Sequence, residues 1–226
     1  MHEMTLSPIA YIRNDLPEKF GVPRQSGLVS ELEARVEFLP ACRDPVAFRG
    51  LEGYSHIWLI WGFSKNKRRS WSATVRPPRL GGNRRMGVFA TRSPQRPNAL
   101  GLSSVELLRI DLSRETGPAL VVAGADLVSG TPVYDVKPYL PYTDSHPDAS
   151  CGFAGAFADY SLEVIFPDEL LALIPEGKRK PLLGILSQDP RPAYIDDPER
   201  EYGLRYMDFN VRFRVAGNVL TVCEVS

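Results

Sequence analysis

The sequence predicts a mainly β protein, and three observations carry that reading. Apolar and polar residues alternate in short runs, and clusters of Gly, Pro, Asn and Asp separate the runs. No Gly-x-Gly-x-x-Gly follows any strand-like segment, so the nucleotide fingerprint of a doubly wound sheet is missing. Many short strands with frequent turns predict a barrel or a sandwich. Residues 6–13 and 34–39 read as the first strands. Residues 45–51 read as a helical turn, because Asp44 can cap it and Pro45 fits its first position. Residues 57–63 form a continuous apolar run, which predicts a strand buried on both faces. Residues 87–91 open as a strand. Residues 104–112 and 119–128 flank Thr116-Gly117-Pro118 and predict a hairpin.

The texture changes near residue 160, which predicts a main β domain over 1–160 and a small α+β domain over 161–226. Residues 167–174 read as a helix with Asp168 and Glu169 in its first turn, and residues 181–188 as a second helical piece. An acidic, proline-rich loop follows over 189–201. Residues 209–215 and 219–225 alternate around Ala216-Gly217-Asn218 and predict a closing hairpin.

Bulk properties exclude several classes. The 226 residues include three cysteines, Cys42, Cys151 and Cys223, with no close spacing. That argues against a disulfide framework and a zinc site, and it predicts a reducing, cytoplasmic setting. His2, His56 and His146 are too scattered for a metal motif. The N-terminus lacks the charged and apolar regions of a signal peptide, and residues 57–63 are too short to cross a bilayer. The reading is therefore of a protein with no metal and no membrane partner.

Formal charge is zero overall, with 27 basic and 27 acidic residues. Its distribution is uneven. No Asp or Glu lies between Glu52 and Glu106, while that stretch holds ten basic residues: Lys65, Lys67, Arg68, Arg69, Arg76, Arg79, Arg84, Arg85, Arg92 and Arg96. The rest of the chain keeps 17 basic against 27 acidic residues, a net charge of −10. Such asymmetry predicts a polyanionic partner, RNA above all. Lys65, Lys67, Arg68, Arg69, Arg84, Arg85 and Arg96 are the candidate RNA-binding residues. Trp58, Trp61, Phe63 and Trp71 lie in or beside the stretch, where aromatic rings can stack on unpaired bases. For Trp58 and Trp61 the core is the preferred place.

Two segments carry the chemistry. Residues 87–103 read GVFATRSPQRPNALGLS. Pro94 and Pro97 stiffen this loop, and Arg92 and Arg96 give it planar, fork-shaped donors. Residues 126–145 read DLVSGTPVYDVKPYLPYTDS. The turn Ser129-Gly130-Thr131-Pro132 exposes amides and hydroxyls, and Gly130 permits close approach of a ligand. Asp135 and Lys137 share one strand face, so a surface ion pair is the plain alternative to a functional role. The Tyr- and Pro-rich residues 137–144 also suit a subunit contact.

These two segments, with Gly53-Tyr54-Ser55-His56-Ile57-Trp58 and the late QDPRPAY of residues 188–194, resemble the TrmO family, also called TsaA-like or YaeB-like proteins. The resemblance spans essentially the whole chain. It implies a β-barrel methyltransferase outside the Rossmann class, with a smaller C-terminal domain and a homodimeric assembly. It implies S-adenosyl-L-methionine as cofactor. It also implies transfer of a methyl group to N6 of N6-threonylcarbamoyladenosine at position 37 of tRNA, threonine tRNA among them. Matched residue by residue, the cofactor contacts would be Pro8, Ile9, Ala10, His56, Ile57, Arg92, Leu102, Ser129, Gly130, Thr131 and Pro132. Ser129 stands where the family usually has Asp or Asn, and Ala99 where it usually has Pro. A general base, if one acts, would be Asp135 or Tyr142 by position in the motif. A non-catalytic RNA-binding barrel is the alternative, and it would bind RNA without cofactor.

Overall fold

Alternation sets the first strands. Ala10 and Ile12 are fully buried while Tyr11 and Arg13 face outward, giving β1 (Ala10–Arg13). Glu33–Phe38 forms β2, with Ala34, Val36 and Phe38 inside, and His56–Gly62 forms β3. The computed structural model describes residues 3–65, 70–80, 84–113, 117–192 and 197–226. Lys67, Arg68, Arg69 and the last residues of QDPRPAY lie outside the described residues.

A short ribbon of β4 (Thr74–Val75) and β5 (Met86–Gly87) precedes β6 (Leu100–Asp111), β7 (Ala119–Ala123) and β8 (Pro132–Pro138). Six strands close a barrel in the order β1-β2-β7-β6-β3-β8, with every neighbouring pair antiparallel. Closure removes the exposed edges that an open sheet would offer. The interior is filled by Ile12, Val36, Ile57, Leu59, Val105, Leu120, Val122 and Val133.

Local turn chemistry decides several elements as expected. The Asp44 carboxylate accepts from the Val46 N–H at 2.9 Å and caps the turn Pro45–Phe48. β6 and β7 pair antiparallel on either side of Gly117, whose φ of 75° suits a residue without a Cβ.

Several expectations need correction. β3 is not buried on both faces. Ile57 and Leu59 are fully buried, whereas Trp58 and Ile60 are half-buried, because a barrel of antiparallel strands covers only its inner side completely. Nor do residues 87–91 form a strand. Only Met86–Gly87 pairs, and Val88–Ala90 curls into a 3-10 turn. The Val88 carbonyl accepts both the Thr91 N–H at 3.1 Å and the Thr91 hydroxyl at 2.9 Å, which closes the chain on itself. The strand expected from residue 104 starts earlier, at Leu100, and so takes in the end of the Arg- and Pro-rich loop.

After β8 comes a single turn, α1 (Pro141–Asp144). β9 (Glu163–Ile165), α2 (Asp168–Leu171), α3 (Glu176–Ser187), β10 (Tyr202–Tyr206), β11 (Phe209–Ala216) and β12 (Val219–Val225) complete the chain. Their sheet has the order β10-β11-β12-β9, with β9 parallel to β12. α3 begins before the expected residue 181 and carries Pro181 inside it. The lost N–H bond is offset because Pro181, Leu182, Ile185 and Leu186 are all buried. This second core includes Phe213, Tyr206 and Ile174, and it also takes in Leu16, Val29 and Leu32 from the segment between β1 and β2. The segment between β1 and β2 thus packs into the core of the C-terminal sheet. No helix among the described residues is long and apolar enough to cross a membrane.

Candidate active site

A cleft of about 500 Å³ opens where the Arg- and Pro-rich loop, the start of β6 and the segment after β7 converge. That volume falls in the range of small-molecule sites. Its apolar wall is Trp58, Trp61, Phe63, Leu100 and Leu102. Lys19, Arg24, Lys65, Arg92 and Arg96 also line it, against a single carboxylate among the described residues, Asp126. The excess of positive charge favours an anionic ligand group or a phosphate chain.

Hydrogen bonds hold the rim in place. Arg92 Nη1 donates to Gln25 Oε1, and Gln25 Nε2 donates to the Arg24 carbonyl at 2.5 Å. Arg24 in turn donates to the carbonyls of Asp189 at 3.1 Å and Arg191 at 3.3 Å. Arg96 donates to the Thr91 carbonyl at 3.0 Å, which braces the loop that carries Arg92.

The floor is a buried polar chain. The Trp61 indole N–H donates to Ser103 Oγ at 2.9 Å, and the Ser103 hydroxyl donates to Asp126 Oδ1 at 2.5 Å. Ser103 is 1% exposed and Trp61 8%. Burial pushes the Asp126 carboxyl above the usual carboxylate range, while the Ser103 hydroxyl and the Arg92 charge draw it back. The Trp61 ring lies flat against Gly101, where an added Cβ would stand 2.2 Å from the ring. Gly101→Ala is therefore expected to displace the indole and cost about 1–3 kcal/mol by overpacking. Thermal unfolding checks this, and a variant as stable as the parent would contradict it.

The structure brings some of the expected residues together. Arg92, Leu102 and Thr131 line the cleft with Lys65 and Arg96. Thr131 is 4% exposed, and its hydroxyl donates to the Val128 carbonyl at 2.7 Å. Ser129 and Gly130 sit in the adjoining turn, tied to the end of β1 by Ser129 N to the Leu16 carbonyl (2.8 Å) and Gly130 N to the Ile12 carbonyl (2.7 Å). Pro132 starts β8 opposite Tyr11. Pro8 and Ile9 enter β1, with Ile9 N donating to the Val133 carbonyl at 2.8 Å, and Ala10 is buried in the barrel.

His56 and Ile57 lie elsewhere, at the opposite end of β3, where Ile57 pairs with Pro138 while Trp61 pairs with Val133. His56 is exposed, its Nδ1 lies 3.0 Å from Ser55 Oγ, and its ring is 6.1 Å from that of Tyr139. Trp58 links the two regions. It lines the cleft, packs 5.4 Å from Tyr139, and donates from its indole to Asp144 Oδ2 at 2.9 Å. The Leu140 N–H and that indole hold the Asp144 carboxyl below its ordinary value.

Asp135 and Tyr142 do not line the cleft. Asp135 pairs with Lys137 at 3.0 Å on the half-exposed face of β8. Tyr142 is 86% exposed on α1. Arg84 and Arg85 are exposed, with Arg85 donating to Thr74 Oγ1 at 3.3 Å. Sequence reasoning missed Gln25, Asp126 and Ser103. Asp126 opens the second quoted segment, but its partner lies 23 residues away. Among the described residues no group of three His, Cys, Asp or Glu side chains could hold a metal ion.

Comparison with known proteins identifies the family. Residues 11–145 match the tRNA-methyltransferase O N-terminal domain, and residues 159–226 match the TrmO C-terminal domain. The chain is 43% identical over 223 residues to the tRNA (adenine(37)-N6)-methyltransferase of Escherichia coli strain K12, covering 95% of this chain and 94% of that protein. It is 41% identical over 217 residues to a Pseudomonas aeruginosa protein named "Putative S-adenosylmethionine-dependent methyltransferase RcsF", covering 92% and 91%. The crystal structure of TrmO from Pseudomonas aeruginosa superposes with a TM-score of 0.78 at 33% identity, covering 100% of both chains. With both domains matched in order over a shared barrel and C-terminal sheet, the chain belongs to the TrmO family.

Proposed function

We propose that this protein is an S-adenosyl-L-methionine-dependent methyltransferase that acts on N6 of adenosine 37 in tRNA. The observation that carries the reading is the cleft at the start of β6, an apolar wall beside a basic rim, in a chain of this family. Those residues fit the cofactor. Trp58, Phe63 and Leu102 offer faces for a purine, and Arg92 offers a fork for a carboxylate. Thr131 and the Ser129–Gly130 turn stand at the same end of the barrel. When bound, the cofactor supplies an activated methyl group. The protein's part is to orient donor and acceptor and to exclude water, and orientation alone can lower such a barrier by about 7–11 kcal/mol.

The substrate we assign is N6-threonylcarbamoyladenosine in threonine tRNA. Lys65 and Arg96 at the cleft, and Arg84 and Arg85 outside it, are placed to meet the phosphate backbone. Lys67, Arg68 and Arg69 belong to the same basic stretch of sequence. We assign residues 1–160 to cofactor binding and catalysis and 161–226 to a smaller second domain; the barrel interior and the C-terminal sheet form two clusters, although Leu16, Val29 and Leu32 pack into the second. A homodimer is supported by His56 and Ile57 not lining the cleft that holds Arg92 and Thr131, so that one copy does not gather all the expected contacts there. The reaction takes place inside the cell, where tRNA is, and the free Cys42, Cys151 and Cys223 suit a reducing compartment.

Calorimetric titration with S-adenosylmethionine and S-adenosylhomocysteine tests the reading. Micromolar binding of both is expected, followed by methylation of threonylcarbamoylated tRNA. A folded protein that binds RNA but neither ligand would favour the non-catalytic barrel, which the names of the relatives do not support.

A further inference from the structure

We propose that Asp126 is the proton acceptor of the reaction, held at the cleft floor by the Trp61–Ser103 hydrogen-bond chain. This rests on the methyltransferase reading above. The transfer forms a bond from N6 to the methyl carbon and breaks the carbon–sulfur bond of the donor. The sulfonium keeps the bonding pair and becomes a neutral thioether. N6 becomes cationic as it gives up its lone pair, so its N–H proton must leave. The Asp126 carboxylate receives that proton and passes it to water.

Geometry selects this residue. Asp126 is the only carboxylate among the described residues that line the cleft. One of its oxygens, Oδ1, is occupied by the Ser103 hydroxyl at 2.5 Å, and Ser103 is itself oriented by Trp61. The carboxylate is therefore fixed rather than free to swing, as a proton acceptor requires. Asp135 is engaged with Lys137 and half-exposed, and Tyr142 stands in solvent, so neither shares the cleft with Arg92.

The environment suits the role. Facing Asp126 are the Ser103 hydroxyl from β6, the backbone N–H of Ser26 and the guanidinium of Arg92. Lys19, Arg24, Lys65 and Arg96 share the cleft. Burial raises the carboxyl while those groups keep the anion accessible, which moves the base toward working pH. A base must be deprotonated to act, so the rate rises with pH through the raised value and is lost below it.

The experiment compares the parent with Asp126→Asn and Ser103→Ala. It measures the Kd for S-adenosylmethionine, the melting temperature, the carboxyl titration by carbon NMR, and kcat against pH on threonylcarbamoylated tRNA. Asp126→Asn is expected to lower kcat by about 10²–10⁴-fold. Its cofactor affinity should be retained, and its melting temperature should be unchanged or higher because a buried charge is gone. Ser103→Ala removes a donor that favours the anion, so its acidic limb should move to higher pH. Full kcat in Asp126→Asn overturns the proposal. So does an acidic limb that neither substitution moves, or an activity loss explained entirely by weaker cofactor binding. A parent protein that binds cofactor and methylates the tRNA upholds the methyltransferase reading independently of either variant. A parent that does neither overturns that reading and this proposal with it.

Discussion

Asp189→Ala is expected to lower the unfolding free energy by about 3–5 kcal/mol, the range for breaking a buried ion pair by removing one partner. Asp189 is 4% exposed. Its carboxylate accepts from the Tyr160 hydroxyl at 2.8 Å and from Arg191 Nε at 3.0 Å, with the Arg191 side chain only 11% exposed. Alanine leaves that guanidinium buried without its counter-charge. The backbone adds to the loss, because Asp189 has φ of 53°, where Asp is better tolerated than Ala. Urea unfolding followed by circular dichroism measures the change, which should appear as a lower midpoint at unchanged slope. A loss below about 1 kcal/mol would mean that the pair contributes no more than a surface one.

The same variant reaches the active site. The Asp189 and Arg191 carbonyls hold Arg24, Arg24 holds Gln25, and Gln25 holds Arg92. Tyr160 supplies a local readout. Burial and then Asp189 raise its phenol above the ordinary value. Loss of the carboxylate should bring it part of the way back down, with burial keeping the remainder.

What could be read in the sequence was mostly what is decided within a few residues. The Asp44 cap, the antiparallel pairing of β6 with β7 and the hairpin at Gly217 each depend on local chemistry, and each forms where expected. β9 is three residues long and exists because β12 pairs with it in parallel, and no local pattern announces such a strand. β10 alternates cleanly, with Gly203 and Arg205 at its two exposed positions, but a five-residue run next to a proline-rich loop is short, and pairing with β11 makes it a strand. Residues 87–91 carry strand-like side chains, yet the Val88 carbonyl turns the chain instead.

The site divides in the same way. Arg92, Leu102 and Thr131 were legible because they stand in motif segments, and the fold carries all three to one cleft. Asp126 was not, since nothing about Asp in a short apolar run says that it will be buried beside Ser103 and Arg92. That property belongs to the barrel's closure, which sets β6 against β7 and the segment that follows. His56 shows the converse: a motif residue whose position at the far end of β3 is set by register rather than by neighbours in sequence.

Arg92→Ala is expected to weaken S-adenosylmethionine binding by roughly 10- to 150-fold, about 1.5–3 kcal/mol for a hydrogen bond to a charged group. The guanidinium is steered by Gln25 and lies in the cleft opposite its apolar wall. If it grips the carboxylate of the ligand, S-adenosylhomocysteine should lose affinity by the same factor, since both ligands share that group. Methylthioadenosine lacks the carboxylate and should bind parent and variant alike. Arg92→Lys keeps the charge without the planar fork and should recover only part of the loss. Unchanged affinity for both amino-acid ligands would remove the assignment. Equal losses for all three would instead place Arg92 on the nucleoside. The substitution also has a second consequence. Arg92 is one of the groups that draws the Asp126 carboxyl down. Without it, the acidic limb of the remaining activity, measured at saturating cofactor, should move to higher pH. A binding defect alone would lower affinity and leave that limb in place.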